Sequence, residues 1–226
     1  MYDYREYCPV AKGAQLLCER WTVLIVRELL MGATRFNQLR RFLPRISPTL
    51  LKSRLSMLED EGIVVRVRTR ERDGFMYQLT SAGQELLPVV AELGHWAARW
   101  QYDKFKDDEV NVDAMMRDLE FTLKPAQMPG PRTILRIIFE GEPDDAHWHV
   151  VVDGDHVDAC DEDRGLEVDV YLCATPRAFA DILLGKLSLQ QALTETSLKA
   201  TGSGPHIESI ARWFGLSPHA EATHEA

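Results

Sequence analysis

Apolar residues in the first hundred positions recur at helical spacing over four segments and then begin to alternate. The last of these helices, 48–60, has clear boundary signals: Ser47 as the N-cap, Pro48 at the first helical position and Gly62 just beyond the end. The alternation over 63–79 predicts a β-hairpin with a basic tip. The other predicted helices are 9–20, 22–30 and 36–41, and 22–30 is apolar enough to be buried nearly all round.

A longer helix, 81–100, is predicted after the hairpin. Thr80 is its expected N-cap, and Pro88 is expected to kink it locally. Its apolar positions keep a seven-residue spacing, which is typical of a helix that packs against a partner helix. These positions are Leu86, Val90, Leu93, Ala97 and Trp100.

The second half of the chain places strand-like segments before helical ones, which predicts an α+β fold class. The expected strands are 133–139, 147–152, 156–160 and 167–173, and the expected helices are 175–184, 188–194 and 206–214. The predicted domain organisation is a winged helix-turn-helix domain over 1–101, a linker with a short helix over 102–131, an α+β domain over 132–216 and a flexible tail over 217–226.

The charge is distributed unevenly along the chain. The net charge of -9 argues against nucleic acid as a partner, but residues 1–101 hold 15 Lys and Arg against 11 Asp and Glu, and the remainder holds 11 against 24. Such asymmetry is typical of a basic nucleic-acid-binding module joined to an acidic domain.

Helix 48–60 carries two distinct faces. Leu51, Leu55 and Leu58 are expected to face the core, and the opposite side is small, polar and free of acids. An α-helix with such a face fits the major groove of DNA, where carboxylates would be repelled by the phosphates. The predicted DNA contacts are Ser47, Thr49, Lys52, Ser53 and Ser56, together with Arg35 and the hairpin residues Arg68, Arg70 and Arg72; Arg66 lies on the same hairpin.

Several separated motifs in this first part resemble the HxlR family of bacterial winged-helix regulators. They are YCPV at 7–10, RWT at 20–22, LLMG at 29–32, RFNQL at 35–39, ISPTL at 46–50, LEDEG at 58–62 and YQLT at 77–80. The resemblance implies a homodimer, built on the first and last helices of the domain, that binds an inverted repeat in double-stranded DNA.

Two interpretations of Cys8 stay open. The cysteine precedes Pro9 at a helix N-terminus, where the helix dipole favours the thiolate, and resemblance to some HxlR proteins implies sensing of oxidants or electrophiles. The alternative is a small apolar residue in the dimer contact. Cys18, Cys160 and Cys173 are expected to lie in the core as reduced thiols.

The second domain resembles the sterol carrier protein fold through LEVDVYL at 166–172, AFADILLGK at 178–186, LKATG at 198–202 and the closing helix around 207–214. That resemblance implies helices over a mostly antiparallel sheet that can enclose an apolar ligand. Candidate pocket residues are Phe139, Trp148, Phe179, Leu183, Trp213 and Phe214, and the alternative is that all six fill the core.

The sequence gives little support for a catalytic or metal-binding role. His147 and His149 share a strand face without a third ligand, and the acidic stretch 153–163 lacks the EF-hand pattern. We expect no metal, no cofactor and no enzymatic activity.

Without an apolar run long enough to cross a bilayer, and without a signal peptide, the expected location is the cytoplasm.

The sequence therefore predicts a dimeric, sequence-specific DNA-binding transcriptional regulator that an apolar small molecule in the C-terminal domain modulates. Two alternatives remain. One is a ligand carrier that uses the winged helix only to dimerise, and the other is a regulator that senses oxidants or electrophiles through Cys8.

Overall fold

The computed structural model describes residues 3–69, 74–104, 106, 110–141, 147–217 and 220. The chain divides into two compact units, Met1–Leu93 and Gly94–Ala226. Within the described residues, no helix is long and apolar enough to cross a membrane.

The first unit begins with four helices at nearly the predicted positions. They are α1 (Pro9–Leu17), α2 (Thr22–Leu30), α3 (Phe36–Phe42) and α4 (Pro48–Asp60). Helix α1 ends earlier than predicted, and Trp21, in the left-handed region with φ of 78°, stands immediately before α2. The connection before α4 leaves the helical region at Leu43, as Pro44 requires.

Leucine and isoleucine side chains from these helices form the core of the first unit. Ile25, Leu39, Leu51 and Leu58 are all fully buried in it. The prediction that α2 is buried nearly all round is wrong in part, because Leu24 is 37% exposed. Glu28 on the same helix is instead fully buried, and the Arg27 Nε donates a hydrogen bond to its carboxylate over 2.9 Å.

The β-hairpin pairs β1 (Val64–Thr69) with β2 (Gly74–Leu79) in antiparallel register, with Val64 opposite Leu79. Of the alternating valines, Val64 is buried, whereas Val65 and Val67 are exposed. The hairpin therefore presents one apolar strip outward.

The helix predicted over 81–100 is two helices, α5 (Ser81–Gln84) and α6 (Leu87–Trp100). Thr80 caps α5 as predicted, because its side-chain oxygen accepts a hydrogen bond from the Gly83 N–H. The break is sharper than the expected kink, since Pro88 lacks an N–H and is tolerated only in the first turn of a helix.

Besides the C-terminal half of α6, the second unit contains a five-stranded sheet and four helices among the described residues. The strands are β3 (Arg132–Phe139), β4 (His147–Asp153), β5 (His156–Cys160), β6 (Val170–Ala174) and β7 (Leu198–Gly202), and the helices are α7 (Val112–Thr122), α8 (Pro176–Leu183), α9 (Leu189–Thr194) and α10 (Gly204–Ser209). Short 3-10 turns lie at Tyr102–Lys104, Pro125–Gln127 and Ile210–Arg212.

The strand order is β5-β4-β3-β6-β7, in which β3 and β6 are parallel and the other neighbours are antiparallel. The sheet is thus mostly antiparallel, and the α+β class is confirmed. Strand β7 was not predicted, and β6 starts three residues later than predicted. The predicted helix 206–214 is α10 followed by a 3-10 turn.

Helix α7 belongs to the core of the second unit, although it lies in the segment predicted as a linker. Met116 and Leu119 on α7 are fully buried against the same cluster as Leu135 and Ile137 on β3. Glu120 accepts a hydrogen bond from the Ala159 N–H on the edge strand β5 over 2.7 Å. Burial raises the pKa of the Glu120 carboxyl above its ordinary value.

Candidate nucleic-acid interface

Helix α4 is held by a cap at its start and by leucines along its inner side. The Ser47 Oγ accepts a hydrogen bond from the Leu50 N–H over 3.2 Å, and Pro48 occupies the first helical position. Leu51, Leu55 and Leu58 are buried. Because one face of the helix is fixed to the core, the opposite face must point outward.

The outward face of α4 consists of the polar residues singled out from the sequence. Thr49, Lys52, Ser53 and Ser56 are all exposed. They line an open concavity of about 530 Å³, together with Met57, Asp60 and Glu61. The two acids lie at the C-terminal end of α4, so the first two turns present hydroxyls and one ammonium group without a carboxylate.

Two of the remaining predicted contacts, Ser47 and Arg35, stand at helix N-caps. The Ser47 oxygen is engaged in the cap, which gives this residue a structural part in α4. Arg35 precedes α3 and is half-buried. The Gln38 side chain accepts hydrogen bonds from the backbone N–H groups of Thr34 and Arg35, over 3.0 and 2.9 Å, and so closes the start of α3.

The hairpin arginines occupy different surroundings. Arg66 lies with its guanidinium 4.4 Å from the centre of the Phe75 ring and its Nε 3.6 Å from a Glu59 carboxylate oxygen. Arg66 therefore already makes two contacts within the domain. Arg68 is exposed and lies opposite Phe75 in the hairpin register. Arg70 and Arg72 lie outside the described residues.

Further arginines surround the turn between α3 and α4. Arg40 and Arg45 are exposed and were not among the predicted contacts. In the sequence, Arg40 is one of two adjacent arginines in the last turn of α3, and Arg45 directly follows Pro44. Arg54 is different, because it pairs with Glu19 over 2.7 Å and donates to the Arg20 carbonyl oxygen over 3.0 Å.

Residues 16–105 match the family model described as HxlR-like helix-turn-helix, and residues 107–206 match the SCP-2 sterol transfer family. The relatives identified by sequence are named transcriptional regulators. The chain belongs to the HxlR family. It is a DNA-binding helix-turn-helix transcriptional regulator that also carries an SCP2 domain.

Two relatives of this HxlR protein come from Bacillus subtilis. The chain is 38% identical over 104 residues to the HTH-type transcriptional regulator YvaP, which is 45% of this chain and 96% of YvaP. It is 37% identical over 92 residues to the HTH-type transcriptional regulator YodB, which is 40% of this chain and 82% of YodB. The solved structure of reduced YodB aligns with 34% identity and a TM-score of 0.39, over 43% of this chain and 98% of that one.

The cysteines of this HxlR chain lie mainly outside the core. Cys8 is exposed at the N-cap of α1, and its side chain makes no capping hydrogen bond. Cys18 is exposed, so the prediction that it lies in the core is wrong; the reason is that α1 ends at Leu17 and leaves Cys18 in a turn. Cys160 and Cys173 are half-buried. No group of three or more metal-ligating side chains occurs in the described part of the chain.

The residues predicted to line a pocket are packed against one another in the second unit. Phe139 and Phe179 meet edge to face with ring centres 5.6 Å apart, and Phe179 meets Phe214 in the same way at 6.1 Å. All six predicted residues belong to the core cluster or pack against it. They are Phe139, Trp148, Phe179, Leu183 and Trp213, which are buried, and Phe214, which is half-buried.

Proposed function

We propose that this HxlR regulator is a dimer in which α4 of each protomer enters the major groove and reads one half of an inverted repeat. The observation that carries the proposal is the outward face of α4. Thr49, Lys52, Ser53 and Ser56 are exposed side by side on a helix that Ser47 caps and whose inner leucines are buried in the core.

The chemistry of that face suits duplex DNA. Hydroxyl groups both donate and accept hydrogen bonds at base edges, and Lys52 offers an ammonium group to a guanine edge or a phosphate. Asp60 and Glu61 disfavour insertion of the C-terminal end, because carboxylates repel the phosphates. The helix is therefore expected to enter by its N-terminus, as recognition helices do. Arg68 and the hairpin-tip arginines are expected to contact the backbone nearby.

Binding to the site that the full-length protein enriches from a random duplex library tests this proposal. We expect Lys52→Ala to weaken binding by about tenfold, since one such contact contributes roughly 1–3 kcal/mol. Lys124→Ala is the matched control: Lys124 is an exposed lysine of the second unit, and its removal is expected to leave affinity unchanged. Equal affinities for wild type and Lys52→Ala at several salt concentrations would refute the role of α4 and favour the carrier alternative.

An apolar stripe on α6 supports the dimer. Val89, Leu93, Trp96 and Trp100 are all about half-exposed or more and recur at spacings of four, three and four. This is the spacing of a helix seam that packs against a second helix. The stripe differs from the predicted one, because Leu86 and Val90 pack against the core of the first unit instead. Val10 on α1 is also exposed, and α1 is the other helix that the family resemblance assigns to the dimer.

Modulation by an apolar small molecule is the second part of the proposal. It is supported by the match of residues 107–206 to the SCP-2 sterol transfer family and by the aromatic cluster in the second unit. Such a ligand changes DNA affinity only if it binds one arrangement of the dimer more tightly than another. Native mass spectrometry of freshly purified protein is expected to detect a bound apolar molecule. If only ligand-free protein is observed, the result would favour a purely structural role for the SCP2 domain.

Sensing through Cys8 stays a prediction, which its exposed position at the start of α1 supports. Alkylation of Cys8 is expected to alter the DNA affinity of the wild-type protein. An unchanged affinity after complete alkylation would remove this alternative.

A further inference from the structure

Arg136 and His149 lie directly opposite one another on the face of the sheet that is turned away from the core. Their neighbours on β3, Leu135 and Ile137, belong to the core cluster, so the alternation of the strand places Arg136 on the other face. The β3–β4 register pairs Arg136 with His149, and paired residues on one face have Cβ atoms about 5 Å apart.

Each of these two side chains has a buried polar atom without a hydrogen-bond partner in the described part of the chain. The atoms are the Arg136 Nε and the His149 Nδ1. The His149 side chain is only 2% exposed, whereas Arg136 is half-buried and so reaches solvent. An unsatisfied buried polar group is destabilising, and native proteins contain few of them. The pair thus points to a bound group that satisfies both atoms.

The other ring nitrogen of His149 faces Asp163. The His149 Nε2 is 3.8 Å from the Asp163 Oδ1, and the Gly165 N–H donates to the same oxygen over 2.8 Å. A carboxylate on that side favours the tautomer that carries its hydrogen on Nε2. Burial lowers the pKa of His149, so the ring is neutral at neutral pH and its Nδ1 is a hydrogen-bond acceptor.

The other polar groups around His149 also make contacts. Arg164 is paired with Asp158 on β5 over 2.6 Å. The His147 ring, next on the same face of β4, meets His149 edge to face at 5.5 Å and is half-buried. Cys160 on β5 flanks His149 on the side away from Arg136 and accepts a hydrogen bond from the Glu162 N–H.

We propose that this cluster binds a phosphate group that retains one P–OH, either free phosphate or a phosphate monoester. A phosphate oxygen accepts the hydrogen bond of the Arg136 Nε, and the P–OH donates to the His149 Nδ1. A fully ionised oxyanion offers acceptors only, so it would satisfy Nδ1 only if the His149 ring took up a proton, which burial disfavours. The site lies on the opposite face of the sheet from the aromatic cluster and is independent of the DNA-binding helix.

Calorimetric titration of the full chain with inorganic phosphate and with sulfate at equal ionic strength tests the proposal. Sulfate has the same shape but no hydroxyl at neutral pH. We expect saturable phosphate binding, and at least about tenfold weaker sulfate binding, because one charge-assisted hydrogen bond is worth roughly that factor. Equal affinities for the two anions, or no saturable phosphate binding, would overturn the proposal.

Matched variants separate this site from general electrostatic attraction. Arg136→Gln and His149→Leu are each expected to weaken phosphate binding by about tenfold or more. Lys199→Gln removes a positive charge from the same face of the sheet, on β7, and is expected to retain wild-type affinity. A loss in Lys199→Gln as large as in Arg136→Gln would contradict the assigned site.

A measurement on the wild-type protein does not depend on the folding of any variant. In protein labelled with ¹⁵N-histidine, phosphate is expected to shift one buried imidazole Nδ1 resonance, and sulfate is expected to leave it unmoved. A spectrum that phosphate does not change refutes the site. Competition between inorganic phosphate and methyl phosphate then distinguishes free phosphate from a monoester as the preferred form.

Discussion

At Gly83 the backbone of α5 comes so close to the residue before β1 that no side chain fits. A Cβ built at this position would lie 2.3 Å from the Ile63 carbonyl oxygen and 2.8 Å from a Leu79 methyl group. The same carbonyl accepts a hydrogen bond from the Thr80 N–H over 3.0 Å, which fixes its position. A single hydrogen atom in place of a methyl group therefore allows α5 to dock on the hairpin.

Gly83→Ala is expected to lower the free energy of unfolding by about 1–3 kcal/mol, because the rigid backbone must move to admit the methyl group. The control is Gly13→Ala on α1, where a Cβ would meet nothing within 4 Å. That substitution is expected to stabilise the protein by up to about 1 kcal/mol, since alanine favours the helix. Urea unfolding of the full chain compares the two, and similar effects on both variants would contradict the close approach at Gly83.

The role of a single residue could be predicted from the sequence where that role depends on the adjacent backbone positions. Ser47, Thr80 and Gly62 could all be assigned, because capping and positive φ depend on a few adjacent positions. Such prediction did not extend to Arg66, whose partners Glu59 and Phe75 are seven and nine residues away. Those contacts depend on how the hairpin packs against α4.

At the scale of elements, α4 depends on its cap to keep the outward face in position. Ser47→Ala removes the acceptor for the Leu50 N–H and is expected to lower the free energy of unfolding by about 1 kcal/mol. Ser53→Ala, on the exposed face of the same helix, is expected to change stability by less than about 0.5 kcal/mol. Thermal or urea unfolding measures both variants. If Ser53→Ala lowers the free energy of unfolding as much as Ser47→Ala does, the cap does not stabilise α4 specifically.

Helix α6 shows how one proline changes the role of an element. The break before Leu87 separates α5, which docks on the hairpin, from a 14-residue helix with its own direction. Leu86, just before α6, and Val90 on α6 are half-buried and pack against the core of the first unit, so the exposed stripe falls on other residues. Hydrophobic spacing alone could not choose between the two stripes, because both have coiled-coil spacing.

At the scale of the whole molecule, the stripe on α6 predicts self-association. A glutamate in place of Leu93 would bury an unpaired charge in a helix–helix contact, which costs several kcal/mol. We expect wild-type protein to sediment as a dimer and Leu93→Glu to associate at least about a hundredfold more weakly.

Glu92→Gln provides the control for that experiment, because Glu92 is the exposed neighbour of Leu93 outside the stripe. It is expected to remain dimeric in analytical ultracentrifugation. Wild-type protein that sediments as a monomer throughout, or Leu93→Glu that dimerises normally, would contradict an α6 interface.

The amino-acid sequence by itself determined the order of helices and hairpin in the first unit, the exposed polar face of α4 and the α+β class of the second unit. Caps, glycines, prolines and apolar periodicity act over a few residues, so they can be read directly from the chain. Only the tertiary structure decided that α7 joins the second core, that Cys18 is exposed and that β7 completes the sheet. It also placed Arg136 beside His149, because a pair on two strands exists only once their register is set.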